Sequence, residues 1–176
     1  MSLLEIMQKR RSIRKFTGEA IPDAKLRRIL QAGLLAPTSR NRKPCELYVI
    51  QDRETLKQLS KAKQAGGGFL ADAPAAIVVF GDEKKADTWI EDCSIALTHM
   101  MLMATEEGIG NCWVQIHLRS TLLGKDAEVN VREILGVPES YRVAGILALG
   151  GPAEEPRPYM LEGLDYGKIH GYDMKI

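Results

Sequence analysis

Residues 85–117 read KADTWIEDCSIALTHMMLMATEEGIGNCWVQIH, and the order of their signals decides which folds this chain can adopt. Between about Lys85 and Glu107, apolar residues stand almost all the way round the centre of a helical wheel, at Trp89, Cys93, Ala96, Leu97, Met100, Met101 and Met103. That pattern predicts a long helix buried within the domain or at an interface. Gly108 ends it, and Cys112–His117 follows as a strand. A dinucleotide-binding turn needs a strand, then a glycine loop, then a helix. Here the helix precedes Gly108-Ile109-Gly110 and the strand follows, so that turn is excluded.

Working outward, strands are predicted at Leu47–Gln51, Ala75–Phe80 and Val143–Leu149, where β-branched and apolar residues cluster. Ser2 and Glu5 form a capping-box pattern for a helix over Leu3–Lys9. A second helix begins near Asp23 after Pro22, carries Leu26, Ile29, Leu30 and Leu34 on one stripe, and stops before Pro37. Further helices are predicted from Asp52 to about Lys63 and over Val129–Leu135, the latter closed by Gly136 and Pro138. Residues 1–150 thus form one domain of interleaved strands and helices. Residues 151–176 lack periodicity, but Tyr159, Met160, Leu161, Leu164, Tyr166, Ile169 and Tyr172 need a surface, so an extended arm packed on the domain or on a partner is expected.

The chain has 176 residues with 24 Lys+Arg against 23 Asp+Glu, a formal net charge of +1, and 45% hydrophobic residues. Such a balance disfavours a broad basic face for nucleic acid and suits one soluble domain that can bury its own core. Cys45, Cys93 and Cys112 make neither an even framework nor a C-x-x-C pair, which points to a reducing, cytoplasmic setting. The first residues, Met-Ser-Leu-Leu-Glu, do not read as a secretory signal. The apolar run Cys93–Ala104 is interrupted by Ser94, Thr98 and His99 and is far shorter than the ~20 residues of a membrane span.

Lys9-Arg10-Arg11-Ser12-Ile13-Arg14-Lys15 places five cationic side chains and one hydroxyl within seven residues. In extended chain beyond a helix end, Arg10, Ser12 and Arg14 alternate onto one side with Arg11 opposed, a fork suited to a phosphate and a nearby anionic group. The competing reading is a solvated cluster favoured by the helix C-terminus. Gly66-Gly67-Gly68 lacks the Lys-Ser or Lys-Thr of a phosphate-binding P-loop, and both glycine runs also read as helix terminators. H-E-x-x-H, G-x-S-x-G and Cys/His ligand clusters are missing, so no metal site is expected. His99 reads as a core or interface histidine, His117 and His170 have no partner in sequence, and Glu91 and Asp92 read as the wet face of the long helix. A phosphate grip without an acid, base or nucleophile leaves the hard chemistry to a cofactor.

Four blocks carry a resemblance: Arg10-Arg11-Ser12-Ile13-Arg14-Lys15-Phe16; Ala36-Pro37-Thr38-Ser39-Arg40-Asn41-Arg42-Lys43-Pro44; Gly108-Ile109-Gly110-Asn111-Cys112-Trp113; and Ile134-Leu135-Gly136-Val137-Pro138 leading to Leu147-Ala148-Leu149-Gly150-Gly151-Pro152. Together, in this order and over nearly the whole chain, they resemble the nitroreductase family of FMN-dependent oxidoreductases. The resemblance implies an α+β, three-layer nitroreductase-like fold with a central mixed β-sheet flanked by helices and a C-terminal extended arm. It further implies a homodimer with flavin sites at the subunit interface. The activity it implies is hydride transfer from NADH or NADPH, through FMN, to a nitroaromatic, quinone or similar electron-poor small molecule, with no catalytic side chain of its own.

Residue by residue, the resemblance places Arg10, Arg11 and Ser12 in the phosphate-binding block and Arg14 near the pyrimidine edge of the flavin ring. Pro37, Thr38, Ser39 and Asn41 match the segment laid against the flavin by the partner subunit. Trp113, Val114, Gln115 and Ile116 match a stretch whose backbone meets the ring, and Arg157 matches a phosphate-side cation. Two departures bear on substrate choice: Lys43-Pro44-Cys45 stands where the family usually has Gln-Pro-Trp, and Gly66–Gly68 replaces amide or basic side chains. They leave open a non-catalytic flavin-binding or electron-transfer module. A nucleic-acid-binding basic arm over Lys9–Lys15 is a weaker alternative.

Overall fold

The structure, a computed structural model, describes residues 1–171. Tyr172, expected to dock with the rest of the arm, lies outside the described residues. Helix α1 (Leu3–Lys9) opens on the expected capping box, with the Ser2 hydroxyl accepting from Glu5 N–H and the Glu5 carboxylate from Ser2 N–H. Helix α2 (Asp23–Leu34) follows Pro22 and ends before Pro37. Strand β1 (Cys45–Ile50), helix α3 (Arg53–Leu59), strand β2 (Ala75–Asp82), helix α4 (Trp89–Glu106), strand β3 (Gly110–Gln115), helix α5 (Ala127–Leu135) and strand β4 (Tyr141–Gly150) come next.

Several boundaries move for local reasons. Helix α3 stops at Leu59 because the next turns tighten around Ser60, whose hydroxyl bonds to the Lys57 carbonyl. Helix α4 starts at Trp89, since the Asp82 carboxylate holds Lys84 and Lys85 N–H in a turn. Asp126 caps α5 through Glu128 N–H, which draws its start back to Ala127.

The sheet order is β1-β2-β4-β3, and every strand pair is antiparallel, where a mixed sheet was expected. A helix between two strands suggests a parallel crossover, but α3 has seven residues and rises only about 10 Å, and the irregular chain after it returns to the same end of the sheet. The parallel element among the described residues is the single bridge Ser12–Asn111, by which the N-terminal segment lies along β3.

The sheet separates two apolar layers. One face carries Ala76, Val78 and Phe80 of β2 with Val114, Ile116, Ile146 and Ala148 against α3 and α5; the other carries Ala75, Ile77, Val79, Leu147 and Leu149 against α2 and α4. Strand β2 is buried on both faces over Ala75–Gly81, which is why it reads as a continuous apolar run instead of an alternation. Gly33 lets α2 and α4 approach, because a Cβ there would meet Met100 at 2.9 Å. Beyond β4 the arm turns back along the N-terminal segment: Thr17 N–H donates to Gly151, Ala153 N–H to Lys15, and Tyr159 N–H to Gln8.

Candidate functional site

After α1 the chain is extended, and Ile13 N–H donates to the Asn111 carbonyl at 2.9 Å, fixing the segment on the open edge of β3. The alternation expected for residues 10–14 follows. Ile13 packs on Gly110, where a Cβ would meet its side chain at 2.9 Å. Ser12 is on the other side, within bonding reach of the Cys112 thiol, which also senses the charges of Arg14, Arg10 and Lys63. Burial pushes that thiol up, and the three cations with the Ser12 hydroxyl oppose it. The Arg14 guanidinium lies 5.9 Å from the centre of the Phe69 ring. Among the described residues, none of Arg10, Arg11, Arg14 or Lys15 forms a side-chain ion pair with a carboxylate. The nearby Glu154 carboxylate instead accepts Arg14 N–H at 2.6 Å and Lys15 N–H at 3.2 Å, which holds its pKa below the usual value.

Arg11 lies apart from this group. Its guanidinium donates to the Arg157 carbonyl and sits 4.5 Å over the Tyr159 ring, tying the arm to the N-terminal segment. Arg11 and Arg157 line a cavity of about 750 Å³ with Lys9, Ile13 and the 152–158 segment, whereas Arg10, Ser12 and Arg14 are not part of its wall. Asn111, fully buried, also lines it; its amide N–H group donates to Met101, Thr105 and Ile109, and its Oδ1 has no hydrogen-bond partner.

Since the Asn111 carbonyl points away from β4, the two-residue alternation turns the backbone groups of Trp113 and Gln115 to the same open edge. Their side chains cover the α4 face: Trp113 packs over Gly145, where a Cβ would meet Nε1 at 2.7 Å, and donates to Gln115 Oε1 at 3.0 Å. Val114 and Ile116 are core residues of the opposite face, and the same alternation turns the Val114 backbone groups inward to β4, so the open edge falls to the backbone of Trp113 and Gln115.

Pro37, Thr38, Ser39 and Asn41 sit in a strained loop. Arg40, Asn41 and Lys43 all have positive φ, at 52°, 56° and 49°. Thr38 Oγ1 accepts Lys43 N–H at 3.0 Å, and Ser39 N–H donates to Asp92 at 2.9 Å. Asp92 is therefore no wet-face residue: it is 3% exposed, held by the loop and by Thr88, while Glu91 beside it is exposed. Of the triple glycine, Gly66 is constrained by a φ of +75° and Gly67 by the Ser60 carbonyl, which a Cβ would meet at 3.2 Å.

Two clusters escaped the sequence reading. Glu128, 2% exposed, accepts from Arg142 at 2.9 and 3.0 Å and from Val143 N–H at 2.9 Å, and its Oε1 is 2.7 Å from His117 Nδ1. Burial raises the Glu128 carboxyl, but Arg142, Val143 N–H and His117 outweigh it and hold the pKa below the usual value. Arg142 also reaches Glu83 at 2.8 Å and lies 5.4 Å over Trp89. The second cluster is Cys45 and Cys93, whose sulfurs are 3.3 Å apart across β1 and α4. No spacing rule joins residues 48 apart, so both needed the tertiary structure. Among the described residues no group of three or more His, Cys, Asp or Glu could hold a metal, and no helix is long and apolar enough to cross a membrane.

Comparison with known proteins agrees with the fold. The family model described as "Nitroreductase family" matches residues 7–67 and 61–151. A putative NADH dehydrogenase/NAD(P)H nitroreductase of Archaeoglobus fulgidus is 37% identical over 156 residues, covering 86% of each chain. The solved structure of an FMN-dependent nitroreductase from Clostridium difficile R20291 superposes with a TM-score of 0.94 at 41% identity, covering 97% of this chain and 99% of that one. A putative nitroreductase in complex with FMN from Desulfovibrio desulfuricans superposes at 0.75 with 25% identity, covering 91% of each. Family match, sequence identity and superposition thus converge, and the chain belongs to the nitroreductase family.

Proposed function

We propose that this protein is an FMN-dependent oxidoreductase that takes hydride from NADH or NADPH and delivers it to flat, electron-poor acceptors such as nitroaromatics or quinones. The observation that carries the reading is the set of cations without carboxylate partners on one side of the N-terminal segment, beside the open edge of β3. Arg10 and Ser12 supply donors for the phosphate, where charge-assisted hydrogen bonds are strongest. Arg14 offers positive charge to the electron-rich side of a reduced ring, which favours the reduced state. The outward backbone N–H groups of Trp113 and Gln115 give the ring edge donors that do not titrate. Flavin, when bound, supplies the hydride-accepting and hydride-donating chemistry.

The remaining wall of the site comes from a second copy. Leu3, Leu4 and Met7 on α1, Leu34 and Leu35 at the end of α2, and Tyr159, Met160, Leu164 and Ile169 on the arm are all exposed, which offers apolar side chains for that association to cover. The strained 37–43 loop, next to Leu34 and Leu35 in the chain, is carried to the neighbour's flavin by that association. Arg157, matched by the resemblance to a phosphate-side cation, lines the cavity with Arg11 instead, apart from Arg10, Ser12 and Arg14.

The test is turnover by the FMN-loaded protein with NADH or NADPH and a panel of nitroaromatics, quinones and ferricyanide. Ping-pong kinetics are expected, because donor and acceptor share one ring face. A preparation that binds FMN but cannot be reduced by either nicotinamide is the flavin-binding module instead, and the enzyme reading fails.

A further inference from the structure

Cys45 is the first residue of β1, an edge strand, and pairs in register with Gly81 of β2. Because Gly81 lacks a side chain, Cys93 of α4 packs directly over it; a Cβ there would meet the Cys93 sulfur at 3.0 Å. The missing side chain is what lets the Cys93 S–H point at the Cys45 sulfur, 3.3 Å away, with the Phe80 carbonyl 3.4 Å from the same Cys93 sulfur. Cys45 is partly accessible and Cys93 is buried. Cys93 also follows Asp92, whose carboxylate holds Ser39 N–H, so the pair sits at the root of the strained 38–43 loop.

From this arrangement we infer that Cys45 and Cys93 are a redox-active dithiol, which hydrogen peroxide oxidises to an intramolecular disulfide that clamps the 38–43 loop onto α4. The Cys45 thiolate attacks one peroxide oxygen, the O–O bond breaks, and the departing hydroxide takes up a proton to leave as water. The Cys93 sulfur then displaces hydroxide from the Cys45 sulfenic acid, the Cys93 proton leaves with it as a second water, and the S–S bond forms. In sum, two thiols and one peroxide give one disulfide and two waters. The order of attack follows from the environment: the hydrogen bond from Cys93 lowers the Cys45 pKa, aided by Lys85 and opposed by burial, Asp92 and Glu46, whereas the Cys93 thiol is pushed up strongly. The third thiol, Cys112, lies on β3 with burial pushing its pKa up, and serves as an internal control.

Two measurements on the wild-type chain test this, and neither depends on flavin. After treatment with equimolar peroxide and alkylation of free thiols, peptide mapping should show a reducible cross-link between the Cys45 and Cys93 peptides, with Cys112 alone alkylated. Three alkylated cysteines, a cross-link through Cys112 or a disulfide between two chains would overturn the dithiol. Limited trypsin cleavage after Arg40 and Arg42 should slow by roughly threefold or more in the oxidised form, since the loop must open locally to be cut. Equal cleavage rates in the two forms would overturn the clamp.

Discussion

Arg142 and Arg14 each lie over an aromatic ring, 5.4 Å above Trp89 and 5.9 Å above Phe69, yet they do different work. Arg142 is enclosed by Glu128 and Glu83, and Glu128 in turn is completed by Val143 N–H and His117. Every charge there is answered within the chain, and the cluster joins α5, β4 and the turn after β2. Arg14, with Arg10 and Lys63 nearby, acts on the Cys112 thiol, and its guanidinium forms no ion pair among the described residues, since the Glu154 carboxylate within its field is taken up by backbone N–H groups. A satisfied cation belongs to the fold; one without an internal partner is available to a ligand. That contrast separates architecture from site in this molecule.

The sharpest way to break the comparison is to open the closed cluster. Glu128→Ala leaves Arg142 partly buried without its main partner, and should cost about 3–5 kcal/mol in urea unfolding, the usual loss when one member of a buried pair is removed. The same carboxylate sets an acid limit. Its pKa is lower in the folded chain than the ordinary 4.5, so its contribution is complete above that value and drains away as pH falls through the folded pKa. The stability gap between wild type and Glu128→Gln should therefore narrow steadily on acidification below about pH 4.5; a gap that widens would contradict the assignment.

Next in size is the open cluster. Arg10→Ala should leave unfolding nearly unchanged but weaken FMN binding by roughly 10- to 100-fold, the equivalent of one charge-assisted hydrogen bond, measured by quenching of flavin fluorescence. A smaller effect is expected at Asp92. Asp92→Ala deprives Ser39 N–H of its acceptor, and should cost about 1–3 kcal/mol while speeding tryptic cleavage in the 38–43 loop. The least is expected from Arg11→Ala, which faces the arm: FMN affinity should change less than about twofold, while the arm around Arg157–Tyr159 becomes easier to cut because a single surface contact has been lost.

Much of the architecture was legible because it depends on local chemistry. The Ser2–Glu5 capping box, Pro22 and Pro37 bracketing α2, and the all-round apolar α4 each have a short-range cause, and the structure places those helices within a few residues of expectation. The alternation of Arg10, Ser12 and Arg14 against Arg11 also follows from extended backbone alone. What escaped was non-local. Asp92 follows Glu91 in a polar pair and reads as solvent-facing, but the returning 38–43 loop buries it. Strand direction escaped too, because a helix between strands permits both senses. His117 with Glu128, and Cys45 with Cys93, meet only after the sheet has assembled.

The central claim is that Arg10 and Ser12, on the face they share with Arg14, grip a phosphate. Its most direct measurement is a paired titration of the flavin-free protein with FMN and with riboflavin, which differ only by that group. FMN should bind about 100-fold or more tightly, consistent with two charge-assisted bonds to the phosphate, and Arg10→Ala should shrink the ratio. Equal affinity for the two flavins would contradict the account.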